Sequence, residues 1–329
     1  MTGQPPTAPT VVLTRPLPGQ FVLEHASDAR VVTGPEGGYA SRADLLDAVC
    51  GASGVVTWWN ERVDAEFLDA AGDGLKVVCN FAVGHENIDH ALCAQRGVVA
   101  CNTPDAVTEG TADVAWCLLM SAARRFSEAD RYVRSGAWER NGPLGPRDFL
   151  GQPIAGRTLC IVGAGRIGYA TALRSIGWGM RVLYVARSRK PQFEMAPLNA
   201  ERVSLEEGLR RADFVSVHTP LTPETRHQIG ARELALMQQH AVLVNTARGP
   251  VVDEAALVEA LREGRIFAAG LDVFEHEPRV HPGLVGLENV VMTPHFGSGD
   301  VRSRSQMTAL CAANIDGVLS GRGAMTPIG

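Results

Sequence analysis

TLCIVGAGRIG, residues 158–168, runs a buried apolar strand directly into three glycines and then into helix-forming sequence. In a G-x-G-x-x-G loop at such a junction each glycine has a separate duty. Gly163 permits the tight turn, Gly165 lets a pyrophosphate approach the backbone, and Gly168 lets the helix pack closely on the strand. Arg166 and Ile167, between the last two glycines, open a helix whose first N–H groups lack intrahelical partners and suit phosphate. A glycine-rich turn alone is weak evidence. Here the strand before it, the helix after it and a second strand, RVLYV at 181–185, supply the context that a dinucleotide cradle needs.

Further strands follow at FVSVH (214–218), AVLVN (241–245), FAAGLDV (267–273) and NVVMTPH (289–295), with amphipathic segments between them. Six strands alternating with helices predict a doubly wound parallel sheet. Within it, S-L-E-E at 204–207 fits a capping box in which Ser204 caps a helix and Glu207 reaches back. On the N-terminal side, VVL (11–13), GVVTWW (54–59) and LKVVCNF (75–81) alternate with ADLLDAV (43–49) and AEFLDAA (65–71), the pattern of a second α/β domain. A helix is expected over 108–126, with Thr108 as N-cap and Glu109 in its first turn. The glycine- and proline-rich stretch 136–156 reads as an irregular arm, and the last helix, 301–320, as packing back on the first domain.

The expected fold is therefore α/β, with two Rossmann-like or flavodoxin-like domains and the active site in the cleft between them. The first comprises residues 1–104 and 296–329, the second 105–295.

The chain of 329 residues is long enough for two such domains, and its net charge of -5 argues against a nonspecific nucleic-acid partner. Its seven cysteines, Cys50, Cys79, Cys93, Cys101, Cys117, Cys160 and Cys311, lack metal-ligand spacing, so no metal is expected and they read as reduced core thiols of a cytoplasmic protein. The start, MTGQPPTAPT, has no signal-peptide pattern, and no apolar run is long enough to span a membrane.

The strand at 181–185 ordinarily leads to an Asp or Glu that holds the ribose 2′-hydroxyl. Here Ala186 is followed by Arg187, Ser188, Arg189 and Lys190. Without a carboxylate to repel a 2′-phosphate, and with guanidiniums to attract one, the loop favours NADP(H) over NAD(H). The alternative is an ordinary basic loop in water.

Three segments then place ionisable residues near strand ends: VNTARGPVVDE (244–254), GLDVFEHEP (270–278) and VVMTPHFGS (291–298). With NFAVGHENID (80–89), CNTPDAVTEGTAD (101–113), GAGRIG and HTPLTPET (218–225), they make the chain resemble the D-2-hydroxyacid dehydrogenases, most closely the glyoxylate/hydroxypyruvate reductases, from about residue 40 to 320. That resemblance implies hydride transfer between a nicotinamide dinucleotide and a small 2-oxo acid. It makes Arg248 the substrate-binding arginine, His295 the proton donor and Glu277 its carboxylate partner. The chemistry agrees. An arginine fork grips a planar carboxylate, and the charge that grows on the carbonyl oxygen during reduction needs a positioned acid. A carboxylate beside the imidazole would orient it and favour its charged form. Glu275 competes with Glu277, which stands directly before Pro278 as in the family pattern.

The resemblance further implies cofactor contacts at Thr108, His218, Thr219, Pro220, Thr246 and Gly297, and at Asp272 for the carboxamide unless that residue only caps a turn. Val83 and Gly84 match the loop whose N–H groups hold the substrate carboxylate, and Ser298 is expected to face the substrate. Trp59 matches a pocket-lining position, although Trp58 and Trp59 also suit ordinary packing. Val83 and Glu277 depart from the lysine of phosphite dehydrogenases and the glutamine of formate dehydrogenases. The helix at 108–126 and the arm at 127–150 match dimer contacts, so a homodimer is expected, with Trp138 or Leu150 reaching the partner's site. Two other readings stay open: a dinucleotide-sensing corepressor-like protein, and a dehydrogenase for a larger 2-oxo acid.

Overall fold

Alternating apolar and amphipathic segments produce two parallel sheets in the computed structural model, which describes residues 8–328. The chain divides into two compact units, one ending at Val107 and resuming at Ser298, the other running from Thr108 to Gly297.

In the second unit the strands are β6 (Thr158–Val162), β7 (Arg181–Val185), β8 (Glu201–Arg202), β9 (Phe214–Val217), β10 (Val242–Asn245), β11 (Ala268–Leu271) and β12 (Val290–Met292). Their order is β12-β11-β10-β9-β6-β7-β8, all parallel, so the direction of winding reverses between β6 and β9. Because successive side chains on a strand face opposite sides, each strand feeds two cores. Cys160, Val162, Val215 and Leu243 pack on one face, and Leu159, Ile161, Tyr184 and Val244 on the other.

The first unit's sheet comprises β1 (Thr10–Leu13), β2 (Arg30–Thr33), β3 (Gly54–Thr57), β4 (Val77–Asn80) and β5 (Val99–Cys101), in the order β2-β1-β3-β4-β5. The helix Val301–Leu319, capped by Asp300, buries Met307, Cys311 and Ile315 and packs on β3, β4 and β5.

Several local expectations need correction. The long helix is Thr108–Ala123, so Thr108 lies within it instead of preceding it, and Arg125, at φ 54°, breaks it before a second helix, Phe126–Arg134. The arm also holds a short helix, Ala137–Asn141. Ser204 does accept from Glu207 N, but the Glu207 carboxylate pairs with Arg211 one turn on, at 2.6 Å, and leaves the box half-made. The expected strands omit β2 (RVVT) and β5 (VAC), which are short apolar pieces, and β8, whose two residues are exposed and polar. Five cysteines are buried free thiols, whereas Cys50 and Cys117 are exposed. Among the described residues, no helix is long and apolar enough to cross a membrane, and no His, Cys, Asp or Glu group is arranged to hold a metal.

Candidate functional site

The glycine loop sits at the point where the sheet's winding reverses, the usual ligand crevice of such sheets. Gly163 has φ 102°, and a Cβ there would lie 2.6 Å from the His218 carbonyl carbon and 2.7 Å from Thr219 N. Only glycine lets the loops after β6 and β9 touch. A Cβ on Gly168 would meet Gly163 O at 2.3 Å, so that glycine does allow the helix Arg166–Arg174 to close on the strand. Nothing lies within 4 Å of a Cβ built on Gly165, and this residue caps the helix without a side-chain hydrogen bond.

At the end of β10 the Thr246 hydroxyl is buried with no hydrogen-bond partner among the described residues. An open glycine face, a helix start with no side-chain cap and a stranded hydroxyl fit a dinucleotide. Thr108 and Ile167 are half-buried, and Arg166 and Pro220 exposed.

His218 makes a 2.8 Å contact to Ser216 Oγ, and desolvation pushes its ring down to about 3. The folded state therefore refuses a proton that the unfolded chain takes up below its ordinary value of 6.5. Stability is complete above that pH and is lost as pH falls towards 3, by up to about 1.4 kcal/mol per unit. Urea unfolding at pH 7 and pH 5 should show a smaller acid loss for His218→Asn than for the wild type. Equal losses would assign the acid sensitivity elsewhere.

Beyond β7, Arg187 and Ser188 are exposed. Arg189 is already engaged, its Nη2 2.5 Å and its Nε 3.0 Å from Glu194 Oε2. A carboxylate therefore does reach this loop, from beyond the segment that lacked one. Arg202 on β8 was not anticipated as part of the loop. Its guanidinium donates to Ala186 O at 3.0 Å and Arg187 O at 2.9 Å, holding the backbone on which Arg187 stands.

The neighbouring strands β10, β11 and β12 end at one edge and carry Arg248, Glu277 and His295 in the loops beyond. Asn245, fully buried, shapes the first loop by accepting from Ala247 N at 3.0 Å and donating to Arg248 O at 3.0 Å. Arg248 Nη1 donates to Ala247 O at 2.7 Å. A Cβ on Gly249 would lie 1.9 Å from Phe274 C and O, so the Arg248 turn rests directly on the segment leading to Glu277.

Glu277 is held at both oxygens. Oε1 accepts from Phe274 N at 2.9 Å, and Oε2 lies 2.8 Å from His295 Nδ1. Glu275 instead pairs with His227 and donates its N–H to Glu254 at 2.7 Å, so it is not the histidine's partner. His295 has φ 51°. Its loop is tied down by buried Asp272, which accepts from Thr293 Oγ1 at 2.7 Å, Phe296 N at 3.0 Å and Gly297 N at 2.9 Å, while burial raises its carboxyl above the usual range. Asp272 therefore braces the turn that carries His295. A histidine with one ring nitrogen fixed by a carboxylate can exchange a proton through the other.

Val83, Gly84, Trp59 and Ser298 belong to the first unit and are half-buried. Trp58 stacks on Phe81, ring centroids 5.5 Å apart, beneath the guanidiniums of Arg15 and Arg304.

The fold and glycine loop define a dinucleotide-binding α/β protein, and comparison with known proteins narrows the class. Residues 116–297 match the family model of the D-isomer specific 2-hydroxyacid dehydrogenase NAD-binding domain. A glyoxylate reductase of Thermococcus onnurineus is 48% identical over 308 residues, covering 93% of this chain and 92% of that protein. The crystal structure of a Thermus thermophilus protein superposes with a TM-score of 0.89 at 41% identity, covering 97% of this chain and all of that one (100%). An NADPH-dependent glyoxylate/hydroxypyruvate reductase from Sinorhizobium meliloti, solved with NADP and malonate, has a TM-score of 0.79 at 33% identity and covers 98% and 97% of the two chains. The chain belongs to the D-2-hydroxyacid dehydrogenases. It is an NAD(P)-dependent oxidoreductase of 2-oxo and 2-hydroxy acids.

Proposed function

We propose that the protein reduces glyoxylate or hydroxypyruvate to the D-2-hydroxy acid, with NADPH as the preferred donor. The observation that carries the reading is the fixed pair of His295 Nδ1 and Glu277 Oε2 at 2.8 Å, the carboxylate itself anchored by Phe274 N. The 48% identity to a glyoxylate reductase supports the substrate class.

The bound nicotinamide supplies the hydride. Arg248 grips the 2-oxo acid, the Val83 and Gly84 N–H groups hold its carboxylate, and Trp59 and Ser298 border it. With Nδ1–H donated to Glu277, proton delivery to the carbonyl oxygen falls to Nε2 of His295. The Gly163–Gly168 loop, Thr108, His218, Thr219, Pro220, Thr246, Asp272 and Gly297 serve the cofactor. Steady-state kinetics on glyoxylate, hydroxypyruvate, pyruvate and a larger 2-oxo acid, with each cofactor, test both specificities, and no turnover on any of them sinks the reading.

The cofactor preference rests on the exposed Arg187, supported by Arg202, with Arg189 available because an ion pair as exposed as its bond to Glu194 yields readily to a phosphate. Arg187→Asp should move the NADPH-to-NADH ratio of kcat/KM towards NADH by about 10- to 100-fold, the worth of one charge-assisted contact. An unchanged ratio would leave the loop a solvated turn.

The protein functions as a homodimer through the segment 108–126 and the arm at 127–150, where Phe126, Trp138 and Leu150 expose 68%, 51% and 60% of their surface.

A further inference from the structure

Three successive carbonyls of the loop after β4 are held from within the first unit. Ala82 O accepts from Thr103 N at 2.9 Å, Val83 O from Asn102 Nδ2 at 2.7 Å, and Gly84 O from Asn80 Nδ2 at 2.7 Å. In a planar trans peptide the N–H points opposite to the preceding C=O. Anchoring these oxygens therefore turns the N–H groups of Val83, Gly84 and His85 the other way. Among the described residues none of the three has a hydrogen-bond partner.

The anchors are themselves immobilised. Asn80 ends β4 fully buried, exchanges a pair of hydrogen bonds with the Asn87 amide at 3.0 Å and 3.2 Å, and accepts from Thr57 Oγ1 at 3.2 Å. Asn87 in turn donates to Glu61 O at 2.8 Å. The carbonyl of Asn102 accepts from Thr326 Oγ1 at 2.7 Å, and Thr326 N donates to Asn314 Oδ1 at 2.9 Å. A carboxamide is the side chain this task requires. It donates to a carbonyl without burying a charge, whereas the isosteric carboxylate would set an oxygen against an oxygen.

We infer that Asn80 and Asn102 are positioning residues that aim the Val83, Gly84 and His85 N–H groups at the substrate carboxylate, with His85 N–H as a third donor. The inference rests on the proposed use of this loop for the carboxylate. Donors fixed before the ligand arrives need no reorganisation when it binds, so the two amides act on substrate affinity and leave the cofactor alone.

Asn102→Asp and Asn102→Ala test this in the full-length enzyme, with glyoxylate as substrate and oxamate as an unreactive competitor. Asn102 is only half-buried, so these variants keep the test independent of whether Asn80→Asp, at a fully buried position, folds. The KM for glyoxylate and the inhibition constant of oxamate should rise together by about tenfold or more, with kcat within about threefold and the NADPH dissociation constant unchanged.

A lower Tm with unchanged KM and oxamate inhibition would overturn the inference, as would an equal loss of NADPH binding, because either marks a merely structural role. If Arg248→Ala abolishes activity while the Asn102 variants keep a normal KM, the positioning role falls and the reductase reading stands. Wild-type enzyme that neither turns over glyoxylate nor binds oxamate would remove both.

Discussion

His295→Ala is expected to lower kcat by about 10²–10⁴-fold, the range associated with losing a positioned general acid, while NADPH affinity holds within about twofold. The geometry behind the number is the two-point hold on Glu277, one oxygen on Phe274 N at 2.9 Å and the other on His295 Nδ1 at 2.8 Å. A carboxylate fixed at both ends presents the imidazole in one tautomer and one orientation. His295 also has φ 51°, in the left-handed region that alanine adopts at a cost and asparagine tolerates better. His295→Asn therefore separates chemistry from backbone strain, and it should lose as much turnover as the alanine variant while keeping more of the wild-type Tm. Stopped-flow measurement of cofactor oxidation at saturating glyoxylate checks the chemical step. If turnover survives in both variants, another group donates the proton.

Glu277→Gln should cost less than removing the histidine. A glutamine in the same place can still accept from Nδ1–H, but as a neutral and therefore weaker acceptor it holds the ring less firmly.

The arrangement of this site was partly legible in the sequence. Strand β6, the glycines after it and the helix beyond are consecutive residues with strong local signals, so the turn at Gly163 and the close packing at Gly168 could be read directly. The choice between Glu275 and Glu277 was of another kind. Both follow β11 in one loop, and what separates them is their partners, His227 for Glu275 and His295 for Glu277, contacts between segments distant in sequence. Strand β8 is only Glu201–Arg202, exposed and polar, so no apolar run marked it, and Arg202 escaped notice as the clamp of the loop after β7.

Asn80, Asn102 and Asn245 were missed for a related reason. Their roles are hydrogen bonds to nearby carbonyls and to distant side chains, and spacing does not reveal these. A usable signal did exist for two of them, since Asn80 ends VVCN and Asn245 ends VLVN. A carboxamide closing an otherwise apolar buried strand needs internal partners, and at both strands it finds them in the loop that follows. The helix forecast to 126 stops at Ala123 because Arg125 takes a left-handed conformation. Arginine carries no composition cue for such a break, unlike glycine or asparagine.

Arg248→Ala should reduce kcat/KM by about 10²–10⁴-fold for every 2-oxo acid, because two charge-assisted hydrogen bonds are each worth about 1.5–3 kcal/mol. The loss should fall on all substrates alike, since they share the 2-oxo carboxylate and differ only beyond it. The position of the side chain depends on its turn. Asn245 fixes Ala247 N and Arg248 O, Ala247 O takes Arg248 Nη1, and Gly249 leaves no space between this turn and Phe274. Arg248→Lys keeps the charge but not the planar fork, so it should recover part of the binding without restoring the face presented to the hydride. Its KM should therefore lie closer to wild type than its kcat. Parallel kinetics on glyoxylate, hydroxypyruvate and pyruvate decide the matter. Loss confined to one acid would make Arg248 a reader of the substrate's distal end instead of its carboxylate, and full activity in the lysine variant would mean that charge alone suffices.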